Sequence, residues 1–296
     1  VAVKKLILIL SFNPKAKERI MNNALAGNQA FNENDIAIIG APFDSNSSYM
    51  KGSALAPLKI KEAFFCDSSN LWTENLIDLG ALSNWHFIPD INLSDKKEAF
   101  AQIEYEINAL LKKKLRVITL GGDHSITLPA IQAFAKNFQK LNILHLDAHP
   151  DLYDELDGNP YSHACPFTRI MEENLAARLV QVGIRTMTGH QHEQAQKFGV
   201  EVINMKNIDA AENLTFDGPT YISIDMDCLD PAYAPGVSHH EPGGMSTRKV
   251  LEIIQNLNGN LVGADIVEFN PQRDINGMTG MVAAKLLKEL IARMLG

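Results

Sequence analysis

Leu141-Asn142-Ile143-Leu144-His145-Leu146-Asp147-Ala148-His149-Pro150-Asp151 is an apolar run that ends in two aspartates and a histidine at alternate positions. The aliphatic part reads as a strand. In an extended chain, residues i, i+2 and i+4 point the same way, so Asp147, His149 and Asp151 are expected to leave the strand's end on one side. Two ionised carboxylates beside each other near a sheet repel and lose hydration unless a cation neutralises them. The stretch is therefore read as a metal ligand set at the end of a strand.

Two further clusters have the same form. Ser223-Ile224-Asp225-Met226-Asp227 follows another apolar strand, and Leu120-Gly121-Gly122-Asp123-His124-Ser125 follows a third. Taken singly, a D-x-H or D-x-D in a loop is more often a turn or a helix cap than a ligand set. Together, the three clusters fall at the carboxyl ends of strands in an alternating α/β chain, where open sheets place their sites. The expected donors are His124, Asp147, His149, Asp151, Asp225 and Asp227.

Working outward, strands are expected over residues 35–40, 76–80, 116–120, 178–183, 200–204, 219–225 and 261–267. Helices are expected over 57–65, 94–114 with Ser94 as its cap, 126–138, 167–173, 191–198, 247–257 and 278–295. Ahead of these, residues 6–10 read as a short strand or packing segment and 14–31 as one helix. Strand then helix, repeated, means a mostly parallel sheet covered on both faces. The polar loop at 45–52 leaves a strand end, a position that tends to line sites.

With 296 residues, 46% of them hydrophobic, the chain is read as one domain spanning 1–296. Its net charge of −8 argues against nucleic acid or an anionic membrane as partner, and is compatible with a cationic substrate. Cys66, Cys165 and Cys228 are odd in number and lack C-x-x-C spacing, so neither a disulfide framework nor a zinc knuckle is expected. A reducing compartment, the cytoplasm, is the expectation. The apolar run after Lys4-Lys5 is too short for a signal peptide, and no stretch approaches the ~20 apolar residues of a spanning helix.

With these residues laid out, the chain resembles the ureohydrolase family, the manganese enzymes that include arginases and agmatinases. The resemblance rests on Gly121-Gly122-Asp123-His124-Ser125, Asp147-Ala148-His149-Pro150-Asp151, Ser223-Ile224-Asp225-Met226-Asp227-Cys228-Leu229-Asp230-Pro231 and Glu268-Phe269-Asn270-Pro271. It implies a three-layer αβα fold with a mostly parallel sheet of about eight strands and a metal-dependent hydrolase acting on linear amidines. It also implies two Mn2+ ions per subunit, one held by His124, Asp147, Asp151 and Asp225, the other by His149, Asp147, Asp225 and Asp227. On affinity order Co2+ or Ni2+ could substitute. The resemblance further implies attack by a hydroxide shared between the metals, with Asp151 hydrogen-bonded to it. Glu268 would pair with the guanidinium, and His163 would shuttle protons. Asn159, Ser162 and His239 are expected substrate contacts, and a homo-oligomer, trimer or hexamer, is implied, with residues 1–34 a candidate contact segment.

Within that family the chain departs from animal-type arginases at Asn159-Pro160-Tyr161-Ser162, at Leu152-Tyr153 and near Thr188. Its stretches Gly158-Asn159, Tyr161-Ser162-His163-Ala164, Ala234-Pro235-Gly236-Val237-Ser238-His239 and Glu268-Phe269-Asn270-Pro271-Gln272-Arg273-Asp274 are closest to plant-type arginases. L-Arginine, giving L-ornithine and urea, is therefore the expected substrate. Agmatine, giving putrescine and urea, or another guanidino acid is the alternative, and a metal-binding scaffold without turnover is a third reading.

Overall fold

Short runs, most of them rich in Ile, Val or Leu, become eight strands among the described residues, β1 Ile36–Gly40, β2 Trp85–Phe87, β3 Arg116–Leu120, β4 Asn142–Leu146, β5 Arg178–Ile184, β6 Glu201–Asn204, β7 Thr215–Asp225 and β8 Asn258–Val267. They pair in the order β2-β1-β3-β8-β7-β4-β5-β6, every pair parallel. The computed structural model describes residues 31–95 and 97–296. The expected strand at 6–10 and most of the helix at 14–31 lie outside the described residues.

Alternation along each strand sends side chains to opposite faces. Ile36, Ile38, Ile118, Leu144, Leu146, Ile222 and Ile224 enter one apolar layer, under helices α1 (Ala56–Phe64), α6 (Thr247–Asn256) and α7 (Met278–Leu295). Ala37, Ile39, Val117, Ile143 and Tyr221 enter the other, under α2 (Ala99–Leu111), α3 (Thr127–Ala135), α4 (Pro166–Glu172) and α5 (Gly189–Phe198). Burial on both faces is why the strands read as nearly continuous apolar runs. The three-layer expectation is borne out, and the sheet is wholly parallel.

Two expected elements differ. Residues 76–80 are not a strand: Leu76 has φ 61°, and Leu79–Ala81 forms a short 3-10 turn capped by Asp78, whose carboxylate accepts from the Gly80 N–H. The edge strand is instead Trp85–Phe87, buried because Trp85 and Phe87 pack around Phe64. Helix α2 starts at Ala99 with Glu98 before it and no side-chain cap, so Ser94 does not open it.

One feature of the interior is not apolar. Across β5, β4, β7, β8 and β3, strand register lines up Gln181, His145, Ser223, Asp265 and Thr119 on one row, all fully buried. This row lies two residues before the sheet's carboxyl-end clusters at Asp147 and Asp225.

Candidate metal centre

The loops leaving β3, β4 and β7 bring all six expected donors together. His124 Nδ1 lies 3.2 Å from Asp147 Oδ2, 3.0 Å from Asp151 Oδ2 and 3.1 Å from Asp225 Oδ2. His149 Nδ1 lies 3.4 Å from Asp147 Oδ1 and 3.1 Å from Asp227 Oδ2. Asp147 thus turns one oxygen to each group. The path to this arrangement is not the extended strand end expected from the sequence. The chain bends after Asp147, whose Oδ1 accepts from the His149 N–H at 2.6 Å, and Asp151 sits in the left-handed region at φ 50°.

Whether these residues suit a divalent cation is decided by His124. Its Nε2 meets Ser223 Oγ at 3.0 Å, and the Ser223 hydroxyl donates to Asp265 Oδ1 at 2.7 Å. With its proton committed to Asp265, Ser223 can only accept, which fixes the neutral ring's hydrogen on Nε2 and leaves the Nδ1 lone pair facing three carboxylate oxygens. Nδ1 is buried and has no hydrogen-bond partner. Donors about 2.1 Å from one ion at right angles stand about 3 Å apart, the spacing found here. Oxygen and imidazole donors without thiolate suit a hard or borderline ion, so the set fits the metals implied.

The electrostatics point the same way. Burial, then the charges of Asp227 and Asp147, drives the Asp225 carboxyl well above the usual range. Burial also pushes Asp227 up to about 6. Burial would lower His124 and His149, but the surrounding aspartates outweigh it, holding His124 well above its ordinary value and raising His149 to about 12. The pocket's field is negative enough to draw in positive charge.

The buried row supports these ligands, and sequence reasoning missed its role. The Gln181 amide donates to His145 Nδ1 at 3.1 Å, so His145 holds its proton on Nε2 and donates to Asp147 Oδ2 at 2.7 Å. Both His145 nitrogens are occupied, and burial keeps the ring's pKa below its ordinary value. His145 therefore orients Asp147 and is not itself placed as a donor. Asp265 accepts from Ser223, Thr127 and Tyr221. The signal available in the sequence was a polar residue two positions before Asp147 and Asp225, and an aspartate inside the run Leu261-Val262-Gly263-Ala264-Asp265-Ile266-Val267.

Glu268 follows β8 with φ 61°. Its Oε1 accepts from the His124 N–H and from His163 Nδ1, each at 2.9 Å. Burial opposes a charged His163, but the Glu268 carboxylate outweighs it and lifts the imidazole to about 9. His163 Nε2 meets Ser48 Oγ at 2.8 Å, so the 45–52 loop does reach the site. That loop is held by Asp123, which accepts from the Asn46 N–H and the Ser47 hydroxyl. The His239 ring lies 5.0 Å from His163, and burial followed by His163's charge lowers its pKa.

These groups share a cleft of about 230 Å³. His149, Asp151, Asp225, Asp227, His163, His239 and Glu268 line it, with Ser48, Tyr153, Thr186 and Thr188 nearer the surface and the buried Gln191 beside Thr188. Asn159 and Ser162 are not among its lining residues. The Asn159 amide donates to Asn46 and accepts from the Tyr161 N–H, while the buried Ser162 hydroxyl accepts from the Ala164 N–H.

The chain is similar to proteins of known activity. The mitochondrial arginase of Medicago truncatula is 46% identical over 275 residues, covering 87% of this chain and 81% of the relative. The chloroplastic/mitochondrial arginase 2 of Arabidopsis thaliana is also 46% identical over 275 residues, covering 87% and 80%. The solved structure of an arginase from Medicago truncatula superposes with a TM-score of 0.85 at 40% identity, covering 99% of this chain and 97% of that one. These names correct the expected cytoplasmic location, since such relatives are named for organelles. Unpaired cysteines report reducing surroundings, which do not distinguish one compartment from another. The family model for the arginase family matches residues 34–292, and with the relatives above it shows that this chain belongs to the arginase family.

Proposed function

We propose that the chain hydrolyses L-arginine to L-ornithine and urea at a centre that takes two Mn2+ ions. The observation that carries this reading is the pair of donor groups sharing Asp147, opening into the cleft that Glu268 and His163 also line. Two bound divalent cations supply a nucleophile at neutral pH by lowering the pKa of a shared water. His124, Asp147, Asp151 and Asp225 would hold one ion, and His149, Asp147, Asp225 and Asp227 the other. Asp225 stands in the first group through Oδ2, and its Oδ1 accepts from the Asp227 N–H at 2.8 Å, which ties it to the turn that carries Asp227.

The chain's own groups handle the substrate. Glu268, kept ionised by His163 against the burial that opposes it, attracts the guanidinium and orients it over the aspartates. His163, protonated at neutral pH through the same pairing, gives its proton to the departing amine of ornithine and is reprotonated from the Ser48 side. His239, with its lowered pKa, adds no positive charge that would repel the substrate. We also infer one catalytic unit over 1–296 working as a homo-oligomer, a trimer or hexamer, which sedimentation would count.

The test is urea release from L-arginine, agmatine and 4-guanidinobutanoate, with and without added Mn2+. Turnover of arginine supports the reading, agmatine alone overturns the substrate, and no urea from any of them overturns the hydrolase. Asp225→Asn is expected to lose bound metal and more than about a hundredfold in kcat, beyond what removing a supporting residue costs. Full activity with full metal content in that variant would refute its place in the centre.

A further inference from the structure

Asn159 and Ser162, two of the expected substrate contacts, do not line the cleft: the Asn159 amide is held by Asn46 and the Tyr161 N–H, and the Ser162 hydroxyl by the Ala164 N–H, so another part of the cleft must meet the substrate's amino-acid end. Of the groups lining its outer half, Gln191 is set apart by its fixed orientation. It is 4% exposed yet lines the cleft. Its Oε1 accepts from the Thr188 N–H at 3.0 Å and the Thr188 hydroxyl at 3.2 Å, while the Gln191 N–H donates back to Thr188 Oγ1. A backbone N–H can be met only by the amide oxygen, so this reciprocal cap settles which way the amide points. Its Nε2 has no acceptor among the described residues, which leaves both of its N–H groups to donate to whatever enters.

The surroundings select the charge of that ligand. Gln191 stands in the first turn of the ten-residue helix α5, where Gly189 and His190 have N–H groups with no acceptor among the described residues. The positive end of the helix dipole and unpaired amide donors favour an anion and disfavour an ammonium. No Lys or Arg is among the described residues that line the cleft, and its acids, Asp151, Asp225, Asp227 and Glu268, belong to the guanidinium end. The cleft therefore grades from an acidic interior to a donor-bearing rim.

We propose that Gln191, held by Thr188 at the start of α5, receives the carboxylate of the substrate and so selects guanidino acids such as arginine over agmatine. This rests on the hydrolase reading and deepens it. Gln191→Glu is the discriminating variant. It keeps an oxygen for the Thr188 cap but replaces the amide donor by a carboxylate, so the helix is preserved while the rim's preference is reversed.

In Gln191→Glu, KM for L-arginine and for 4-guanidinobutanoate is expected to rise about tenfold or more, the effect of losing a hydrogen bond to a charged group. Their kcat is expected to change little, and kcat/KM for agmatine to hold or rise. Calorimetry with L-ornithine and putrescine reads the same preference without turnover: the wild-type chain favours ornithine, and the variant does not. An unchanged ornithine preference, or equal losses for arginine and agmatine, overturns the assignment while leaving the hydrolase standing. Absence of any urea from the Mn2+-loaded wild type overturns the hydrolase instead, and the ornithine–putrescine comparison still decides the role of Gln191.

Discussion

The pairing of Glu268 with His163 shows how a single side chain sets the behaviour of its neighbour. Both are nearly buried, at 4% and 8% exposure, and burial alone would strip each of its charge. Held 2.9 Å apart, they keep their charges together. His163 is raised from 6.5 to about 9, so the pairing stabilises the fold fully below pH 6.5 and is lost as pH rises through 9. Glu268→Gln removes the charge and retains the shape. In protein stripped of metal, the variant's His163 should titrate near its ordinary value by nitrogen NMR, and the alkaline loss of stability should move down with it. An unchanged titration would show that Glu268 is not what holds the proton. The backbone contributes as well: Glu268 and Asp151 both lie at positive φ, a strained state for residues with a Cβ that clusters at functional sites.

At the scale of elements, the site depends on how closely the strand-end loops approach one another. Gly122 follows β3, and a Cβ built there would lie 1.6 Å from the Phe43 carbonyl oxygen, the same atom that accepts from the Asp123 N–H at 2.8 Å. The loop from β1 and the turn bearing His124 can be this close only with glycine between them. Gly122→Ala should push the two apart, lowering thermal stability by roughly 1–3 kcal/mol as overpacking does. It should also release Asn46 and Ser47 from Asp123, weakening metal retention; calorimetry and metal analysis on one preparation check both. A variant with wild-type Tm and metal content would mean that the backbone relaxes without consequence.

Strands and helices around these loops were legible because their signals are local. Ile36–Gly40, Arg116–Leu120 and Asn142–Leu146 are short, mostly aliphatic runs, and Met278–Leu295 is a long run of helix formers with one apolar face. Where the reading failed, the deciding contact was distant. Leu76 to Gly80 is apolar enough for a strand, but Trp85 and Phe87, with His86 between them, find a surface on Phe64 and take the edge position instead. Ser94 is a good capping residue in isolation, yet the helix begins at Ala99, where the stripe of Ala99, Ile103 and Ile107 first meets the core.

For the whole molecule, the centre joins loops from β3, β4 and β7, so its occupancy should be felt throughout the sheet. Metals that bind the folded state and not the unfolded one stabilise by about 4 kcal/mol for a site filled at a thousand times its dissociation constant. For a chain of this size that is about 10 °C in Tm. Chelation should therefore lower Tm by several degrees or more, and Mn2+ should restore it, as calorimetry would record. The loss should be larger at neutral pH than near pH 5, because the crowded carboxyls Asp225 and Asp227, raised by burial, then take up protons in place of the ions. A Tm indifferent to chelator would overturn the placement of the ions at this buried junction.

The order of strands and helices, the six clustered donors and membership of a metal-hydrolase family could be read from the chain alone, because periodicity and short motifs are properties of neighbouring residues. Location could not be read from cysteine count. Tertiary structure decided the rest: which oxygen of Asp147 faces which histidine, the tautomer that Asp265 imposes on His124 through Ser223, and the supporting row from Gln181 to Thr119. It also tied Asn159 to Asn46 and Ser162 to the Ala164 N–H, and put Gln191, held by Thr188, in the lining of the cleft. Hydrogen-bond direction depends on register between strands and on caps, set by residues up to a hundred or more positions apart, and no local pattern encodes it.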